Sequence, residues 1–182
     1  MSRLLAAAFI LLATCACALA DAKLWARDDF PIPPETPTRL FFIQRSTNPN
    51  TVVYEARLRA DGKLDPQRPI HAYWMRYYST GERRALNFVE ENFAYGPLAE
   101  ADSGQPGTWA VRFAGYGARD IRLRLDASGR PMLLAEVAGR RARLVSAYLH
   151  VHEGRMWPSV TAADVYGVDL ATGAALHERI VP

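Results

Sequence analysis

Residues 39–78 read RLFFIQRSTNPNTVVYEARLRADGKLDPQRPIHAYWMRYY. Apolar and polar residues alternate along this stretch, which is typical of half-buried β-strands. Turn-forming residues interrupt the alternation at residues 46–50 and 61–62, because Asn, Asp, Ser, Pro and Gly favour tight turns. The stretch therefore predicts three strands joined by two turns, at residues 40–45, 51–60 and 69–76.

Residues 82–95 break the alternation, because apolar residues recur at helical spacing between Leu86 and Phe93. We expect Thr80 to cap the start of a helix and Gly96 to follow its end. This segment predicts one amphipathic helix whose apolar stripe packs on the sheet.

The remaining sequence returns to alternating strands and glycine-containing turns, from residue 109 to residue 181. The whole pattern gives about nine short strands at even spacing, which indicates an antiparallel meander. Gly107-Thr108-Trp109 is similar to the Gly-x-Trp sequence that opens lipocalin barrels, but it lies in the middle of the chain. We therefore interpret it as a turn followed by a core tryptophan. The fold that we predict is mainly β, either a small lipocalin-like barrel or a sandwich.

The first twenty residues have the composition of a signal peptide: one positive charge at Arg3, an apolar run, and a small-x-small ending at Ala20. The apolar run is too short for a membrane span of about 20 residues, which favours cleavage near Ala20 over an uncleaved anchor. Four prolines then indicate that residues 21–38 form an extended arm. We predict a single β-rich domain at residues 39–182 in a periplasmic or secreted protein.

Both cysteines, Cys15 and Cys17, lie in the predicted signal peptide. Cleavage would leave a mature chain without disulfides, cysteine nucleophiles or thiolate metal sites. Neither cysteine has the neighbours usual for lipid attachment, although a lipid-anchored form remains the alternative. Loss of Arg3 lowers the net charge from +3 to +2, and the remaining basic residues are interleaved with acids. This distribution excludes nucleic-acid binding and strong membrane binding, and we expect a monomer.

One set of strand and turn residues forms a distinctive pattern: Phe42 to Ser46, Asn48, Asn50 to Glu55, Pro69-Ile70, Tyr73-Trp74, Tyr95-Gly96, Gly167 to Asp169, Thr172-Gly173 and Glu178. This pattern resembles an exported bacterial family known as domain of unknown function 4833. That resemblance implies a single envelope-associated β-rich domain without an assigned activity, and it brings no catalytic residues.

Candidate ligand-binding residues follow from strand alternation. His71 and Tyr73 share one face of the third strand, and Tyr148 lies on a later strand. If these faces point into a barrel, they form a polar aromatic pocket; otherwise they contact water on an outer face. Asn48 and Asn50 are candidates for the rim of a binding site, or they serve the backbone of their turn.

A candidate metal site comes from His150 and His152, whose imidazoles project from the same side of a strand. Neutral imidazoles bind zinc, copper or nickel, and Glu153, His71 or Asp164 could add a third ligand. The alternative is that two histidines at a strand end are solvated or hydrogen-bonded.

The sequence contains no nucleophile elbow, metalloprotease helix, Walker loop or dinucleotide-binding loop, and it predicts no cofactor. We therefore favour a non-enzymatic domain that binds a small hydrophobic or amphipathic ligand or another envelope protein. The alternatives are a hydrolase-type enzyme or metal-binding protein that uses His71, Tyr73, His150 and His152, and an assembly partner that offers a sheet edge.

Overall fold

The computed structural model describes residues 29–114, 116–152 and 159–181, and the side chains of residues 116–118 are not considered. The predicted signal peptide, its cleavage site, both cysteines, the first part of the arm and Glu153 lie outside the described residues.

Within the described residues, eleven strands form one sheet, with one short helix between the fourth and fifth strands. The elements are β1 (Arg39–Arg45), β2 (Asn48–Ala56), β3 (Ile70–Met75), β4 (Arg83–Ala85), α1 (Phe88–Glu90) with a π-helical turn (Glu91–Tyr95), β5 (Pro97–Ala101), β6 (Trp109–Phe113), β7 (Tyr116–Leu125), β8 (Pro131–Val137), β9 (Arg140–His152), β10 (Ser159–Asp169) and β11 (Ala175–Ile180).

The sheet curls into a half-barrel around the long strand β9, so the predicted mainly β fold is confirmed. The strand order is β4-β3-β2-β1-β9-β8-β7-β6-β5, and β10 pairs with both β9 and β11. One edge of β9 contacts β8 through its first residues and β1 through its later residues, while β10 runs along the other edge. The β1–β9 pair is parallel and the other strand pairs are antiparallel, so the sheet is mixed.

The inner face of the half-barrel carries the main hydrophobic core. Tyr54, from the middle of β2, stacks on Phe41 at a ring distance of 4.5 Å and meets Phe113 of β6 edge-on at 5.1 Å. These contacts join strands from opposite halves of the sheet, as expected when a sheet curls over its apolar side. Tyr54 also donates a hydrogen bond from its hydroxyl to the carbonyl of Tyr95, 2.8 Å away.

The outer face carries a second, smaller cluster made by Phe42, Val53, Tyr73 and Met75. The proline-rich arm crosses this face in an irregular conformation. Gln44 donates from Nε2 to the carbonyl of Pro31, at 3.0 Å, and the Thr36 hydroxyl donates to Glu55, at 3.2 Å. One backbone bond joins the end of the arm to β2, from the Ala56 amide to the Thr38 carbonyl at 2.8 Å. The arm therefore attaches to β1 and β2 through side chains and this single backbone bond, and it does not form another strand of the sheet.

The helix differs from its prediction in both position and packing. It begins at Phe88, because residues 83–85 pair with β3 as strand β4 instead of starting the helix. Asn87, not Thr80, is the cap: its side chain accepts from the Glu90 amide while Glu90 accepts from the Asn87 amide. The predicted apolar stripe does not pack on the sheet, since Phe88 and Phe93 are 75% and 70% exposed.

The helical segment ends before Gly96, as predicted. A Cβ atom at this position would lie 1.7 Å from the carbonyl oxygen of Glu91, so only glycine fits so close to the preceding turn.

Candidate functional site

His71 and Tyr73 lie on the outer face of β3, away from the inner core. Tyr73 is buried and donates its hydroxyl to Glu55, 3.0 Å away. Burial, followed by the charge and hydrogen bond of Glu55, raises the pKa of Tyr73 to about 12. Tyr73 is therefore a neutral hydrogen-bond donor at neutral pH, and its hydroxyl is engaged within the protein.

His71 is half-buried beside Tyr73, with the two rings 5.7 Å apart. Burial and then the positive charge of Arg57 lower the pKa of His71. Arg57 Nη2 lies 3.3 Å from His71 Nδ1, an arrangement in which a neutral imidazole accepts from the guanidinium. His71 and Tyr73 thus come together as predicted, but they contact Arg57 and Glu55 rather than the interior of a barrel. Their role in ligand binding stays a prediction.

Tyr148 lies on the outer face of β9, opposite Gln44 in the parallel pair with β1. Its ring contacts Phe30 of the arm at 6.1 Å and His150 edge-on at 4.9 Å. Tyr148 is 5% exposed. The structure therefore places this predicted ligand-binding residue beneath the arm, and strands β1 and β2 separate it from β3.

Strands β9, β10 and β11 bring together an imidazole cluster that we define as His150, Asp164, His177 and Arg179. His150 Nε2 lies 2.5 Å from Asp164 Oδ2, and His177 Nε2 lies 3.0 Å from Asp164 Oδ1. The Arg179 guanidinium is 3.9 Å from the same carboxylate. Because an ionised carboxylate only accepts hydrogen bonds, each imidazole carries its proton on Nε2.

Burial alone would raise the pKa of Asp164, but the hydrogen bonds from His150 and His177, assisted by Arg179, lower it. The carboxylate is therefore charged at neutral pH, and both of its oxygens are occupied. Asp164 connects three neighbouring strands through its partners on β9 and β11.

The predicted metal pair, His150 and His152, lies at the end of β9, and its role in metal binding stays a prediction. His150 is bonded to Asp164, and no described group of three His, Cys, Asp or Glu side chains is arranged to hold a metal ion. His152 is exposed at the end of β9, where its partner in the ladder is Ser159. The contact between His150 and Asp164 agrees with the hydrogen-bonded alternative for His150.

Asn48 and Asn50 both bond to the backbone near their turn. The side chain of Asn48 accepts from the Asn50 amide at 2.9 Å, and the side chain of Asn50 accepts from the Tyr78 amide at 3.0 Å. Asn50 is 6% exposed. These bonds account for both oxygen acceptors without a ligand, and a role in binding stays a prediction.

A cavity that the sequence did not predict lies at the end of the inner face where β2 leads into β3. The connecting loop folds into a small hairpin in which the Arg59 amide donates to the Lys63 carbonyl, at 2.8 Å. Gly62 takes a positive φ of 76°, and Asp61 accepts from the Lys63 amide at 3.1 Å. This tight turn places the side chains of Arg59 and Lys63 at the same opening.

The loop cavity has a volume of about 300 Å³, at the lower end of the range usual for small-molecule sites. Arg59 is paired with Asp61 at 2.8 Å, whereas Lys63 forms no ion pair with any described residue. Apolar side chains from the loop and from β6 and β7 make most of the remaining wall. The lining residues are Arg59, Lys63, Leu64, Pro66, Gly107, Trp109 and Leu125.

The lining residues are distant in sequence, so no local spacing predicts them. The sequence contained one weak indication of this site, because Lys63 is one of only two lysines among the 22 basic residues. Trp109 is the core tryptophan of the Gly-x-Trp sequence, and it packs partly against the inner core while also contacting the cavity.

Comparison with known families supports the resemblance found in the sequence. The profile of a domain of unknown function, DUF4833, matches residues 41–179, which is most of the chain. The chain belongs to this family. The match runs from β1 to the penultimate residue of β11, so it includes the loop cavity and the imidazole cluster.

No curated protein and no solved structure matches the chain. Among the described residues, no helix has the length and apolar character needed to cross a membrane. Family membership carries no activity, and the functional argument therefore rests on the side chains of this protein.

Proposed function

We propose that this protein is a non-enzymatic binding domain for a small amphipathic ligand, which it holds in the loop cavity. The observation that carries the proposal is a cavity with an apolar wall and cations at its opening. Leu64, Trp109 and Leu125 supply apolar contacts, while Arg59 and Lys63 supply charge. Such a combination of apolar lining and few polar groups is typical of small-molecule sites.

Charge at the opening favours a ligand with an anionic head. Asp61 pairs with Arg59, but Lys63 keeps its charge without a carboxylate partner among the residues described. Residues 57–68 contain four basic and two acidic side chains, so the loop is positive in a chain of low net charge. An anionic head near Lys63 would leave an acyl or aromatic tail against Trp109 and Leu125, where each buried methylene adds about 0.8 kcal/mol.

A pair of matched variants tests the cavity as the ligand site. Pro66→Phe places an aromatic ring at the cavity wall from an exposed position, whereas Gln67→Phe adds the same ring one residue further along, outside the lining. Calorimetry with octanoate and 1-octanol should show binding to the wild type and to Gln67→Phe, and at least about tenfold weaker binding to Pro66→Phe. Equal binding to all three proteins, or none to the wild type, would contradict the proposal.

We propose further that the protein acts in the periplasm or outside the cell, after cleavage near Ala20. The support is the signal-peptide composition of residues 1–20. Mass spectrometry of the protein recovered from the source cell's envelope fraction should give a mature chain that starts at Asp21. A chain that keeps residues 1–20 and stays in the cytoplasm would contradict export.

A further inference from the structure

The inner face carries a second concentration of cations at its other end, next to the turn between β1 and β2. The arginine cluster consists of Arg45, Trp74 and Arg76, which come from the ends of β1 and β3. The Arg45 guanidinium lies over the Trp74 ring, with 5.4 Å between its central carbon and the ring centre. Arg76 follows Trp74 by two positions, and its amide continues the ladder by donating to the Glu82 carbonyl at 3.0 Å.

Three hydrogen-bond donors in this cluster are hidden from water and have no partner among the described residues. They are Nε of Arg45, Nε1 of Trp74 and Nε of Arg76. Trp74 itself is only 4% exposed. A buried polar atom without a partner costs about 1–3 kcal/mol, so an acceptor that bonded to these donors would recover that cost.

The two arginines of the cluster also have no acidic partner in the part of the chain that the structure describes. Neither Arg45 nor Arg76 forms an ion pair within residues 29–114, 116–152 and 159–181, although both are half-buried. Other partly buried arginines do have acidic partners: Arg119 pairs with Glu178, and Arg122 pairs with Asp102. Arg143 of β9 is also half-buried without an ion pair among the described residues. The arginine cluster differs from Arg143 in its buried Nε and indole donors, which have no hydrogen-bond partner in the described part of the chain.

The chemistry of the donors selects the kind of group that they can bind. Nε and one Nη of a guanidinium form a planar fork that matches two oxygens of a carboxylate or phosphate. An indole N–H is a donor only, so it adds a third bond to the same kind of oxygen. Asn50 of β2 lies between the strands that carry the two arginines, and its side-chain oxygen is already taken by the Tyr78 amide. No described carboxylate pairs with Arg45 or Arg76, and the three buried donors are left for an anion.

We propose that the arginine cluster is a binding site for an oxyanion group, held side-on by Nε of Arg45 and Arg76 and by the indole N–H of Trp74. The site is separate from the loop cavity, because the two lie at opposite ends of β2 and β3. Binding at the arginine cluster does not depend on a ligand in the loop cavity.

The donors themselves report on the test, because indole and arginine Nε–H protons give their own signals in ¹H–¹⁵N spectra. Inorganic phosphate and benzoate are titrated separately into the purified protein, with sodium chloride at matched ionic strength as the reference. We expect the Trp74 indole and the Arg45 and Arg76 Nε–H signals to shift and saturate, with a dissociation constant in the millimolar range or below. A response to phosphate alone or to benzoate alone assigns the oxyanion type and supports the site.

Some substitutions preserve the positive charge but remove the planar guanidinium. They test whether binding needs the paired Nε and Nη donors. Arg45→Lys and Arg76→Lys retain a cation but lose Nε, and each should weaken binding about tenfold or more. Arg141→Gln removes an exposed cation on β9 and should bind as the wild type does. The thermal midpoint of each variant shows that it is folded.

Three results would overturn the site: signals that shift no more than in chloride, shifts that do not saturate, or lysine variants that bind as tightly as the wild type. The first two results come from the wild-type titration alone. The proposal can therefore be refuted even if a lysine variant fails to fold.

Discussion

On the outer face of the sheet, Asp164 accepts hydrogen bonds on both carboxylate oxygens, and its partners sit on the two neighbouring strands. On the inner face, Lys63 at one end and Arg45 and Arg76 at the other have no carboxylate partner among the described residues. Both regions are rich in ionisable side chains. The outer groups satisfy one another, as structural networks do, whereas the inner cations remain available to a ligand.

The difference changes which residues are candidates for function. Histidine pairs attract attention in a sequence because imidazole binds metals and moves protons. In the folded chain His150 is committed to Asp164, and Tyr73 to Glu55. Lys63, Arg45 and Arg76 are charged side chains without an acidic partner among the described residues. They can be recognised only in the folded chain, where the strands place them beside apolar side chains or a buried indole.

The largest effect is expected at the centre of the imidazole cluster. Asp164→Ala removes the acceptor of His150 and His177 and leaves Arg179 without its carboxylate, which should lower the free energy of unfolding by about 2 kcal/mol. Urea unfolding at neutral pH measures the loss. Asp120→Ala removes a highly exposed carboxylate that pairs with Arg122 and should cost less than about 0.5 kcal/mol. Equal costs would remove the distinction between a connected network and a surface pair.

The pH dependence of the same cluster follows from the lowered pKa of Asp164. Because the folded-state pKa is below the unfolded one, the stabilisation is fully present above the ordinary aspartate pKa of about 3.9 and is lost as pH falls through the folded value. The stability difference between the wild type and Asp164→Asn should therefore shrink on acidification below about pH 4. His150, His177, Arg179 and Tyr166 also face this carboxylate or its partners. A difference that stays constant down to the acid transition would contradict the assignment.

A smaller effect separates two buried tyrosines, one on each face. Tyr54→Phe removes the buried hydroxyl that donates to the Tyr95 carbonyl and should cost about 1 kcal/mol. Tyr73→Phe leaves Glu55 with the Thr36 hydroxyl at 3.2 Å and Arg83 at 3.7 Å, so its cost should be about half as large. Paired urea titrations measure both values. A larger loss for Tyr73→Phe would show that Thr36 and Arg83 do not compensate Glu55 for the lost hydrogen bond from Tyr73.

The smallest effect on stability is expected at Lys63. Lys63→Gln removes an exposed cation without a carboxylate partner among the described residues, so the free energy of unfolding should change by less than about 0.5 kcal/mol. Its affinity for octanoate should fall while its affinity for 1-octanol stays the same, since only the first carries a charge. An equal loss of affinity for octanoate and 1-octanol would show that Lys63 acts through packing rather than through its charge.

The sequence predicted the parts of the fold that depend on local alternation. Val52 and Tyr54 face the inner core as the period-two pattern indicates, and Gly96 ends the helical segment. The predicted start of the helix was wrong because residues Arg83–Ala85 pair with β3 as a strand. Local spacing along the sequence does not indicate such a pairing with a distant strand. The parallel pairing of β1 with β9 joins residues a hundred positions apart, and no turn signal reports it.

The candidate sites were less predictable for the same reason. Lys63, Trp109 and Leu125 meet at the loop cavity only because the sheet curls, and Arg45 meets Trp74 across β2. The pairing of His150 with His177 through Asp164 depends on the register of three strands. Of the predicted residues, His71 and Tyr73 do lie together, as alternation requires, but their neighbours Arg57 and Glu55 could not be assigned from spacing alone.

Mapping of backbone and indole ¹H–¹⁵N shifts during an octanoate titration tests the central claim most directly, because it compares every candidate region in one experiment. We predict saturable shifts at Lys63, Leu64, Leu125 and the Trp109 indole, abolished by Pro66→Phe and retained in Gln67→Phe. Saturable shifts confined to His71, Tyr73 and Tyr148, with none at the loop cavity, would contradict the account and move the ligand site to the outer face.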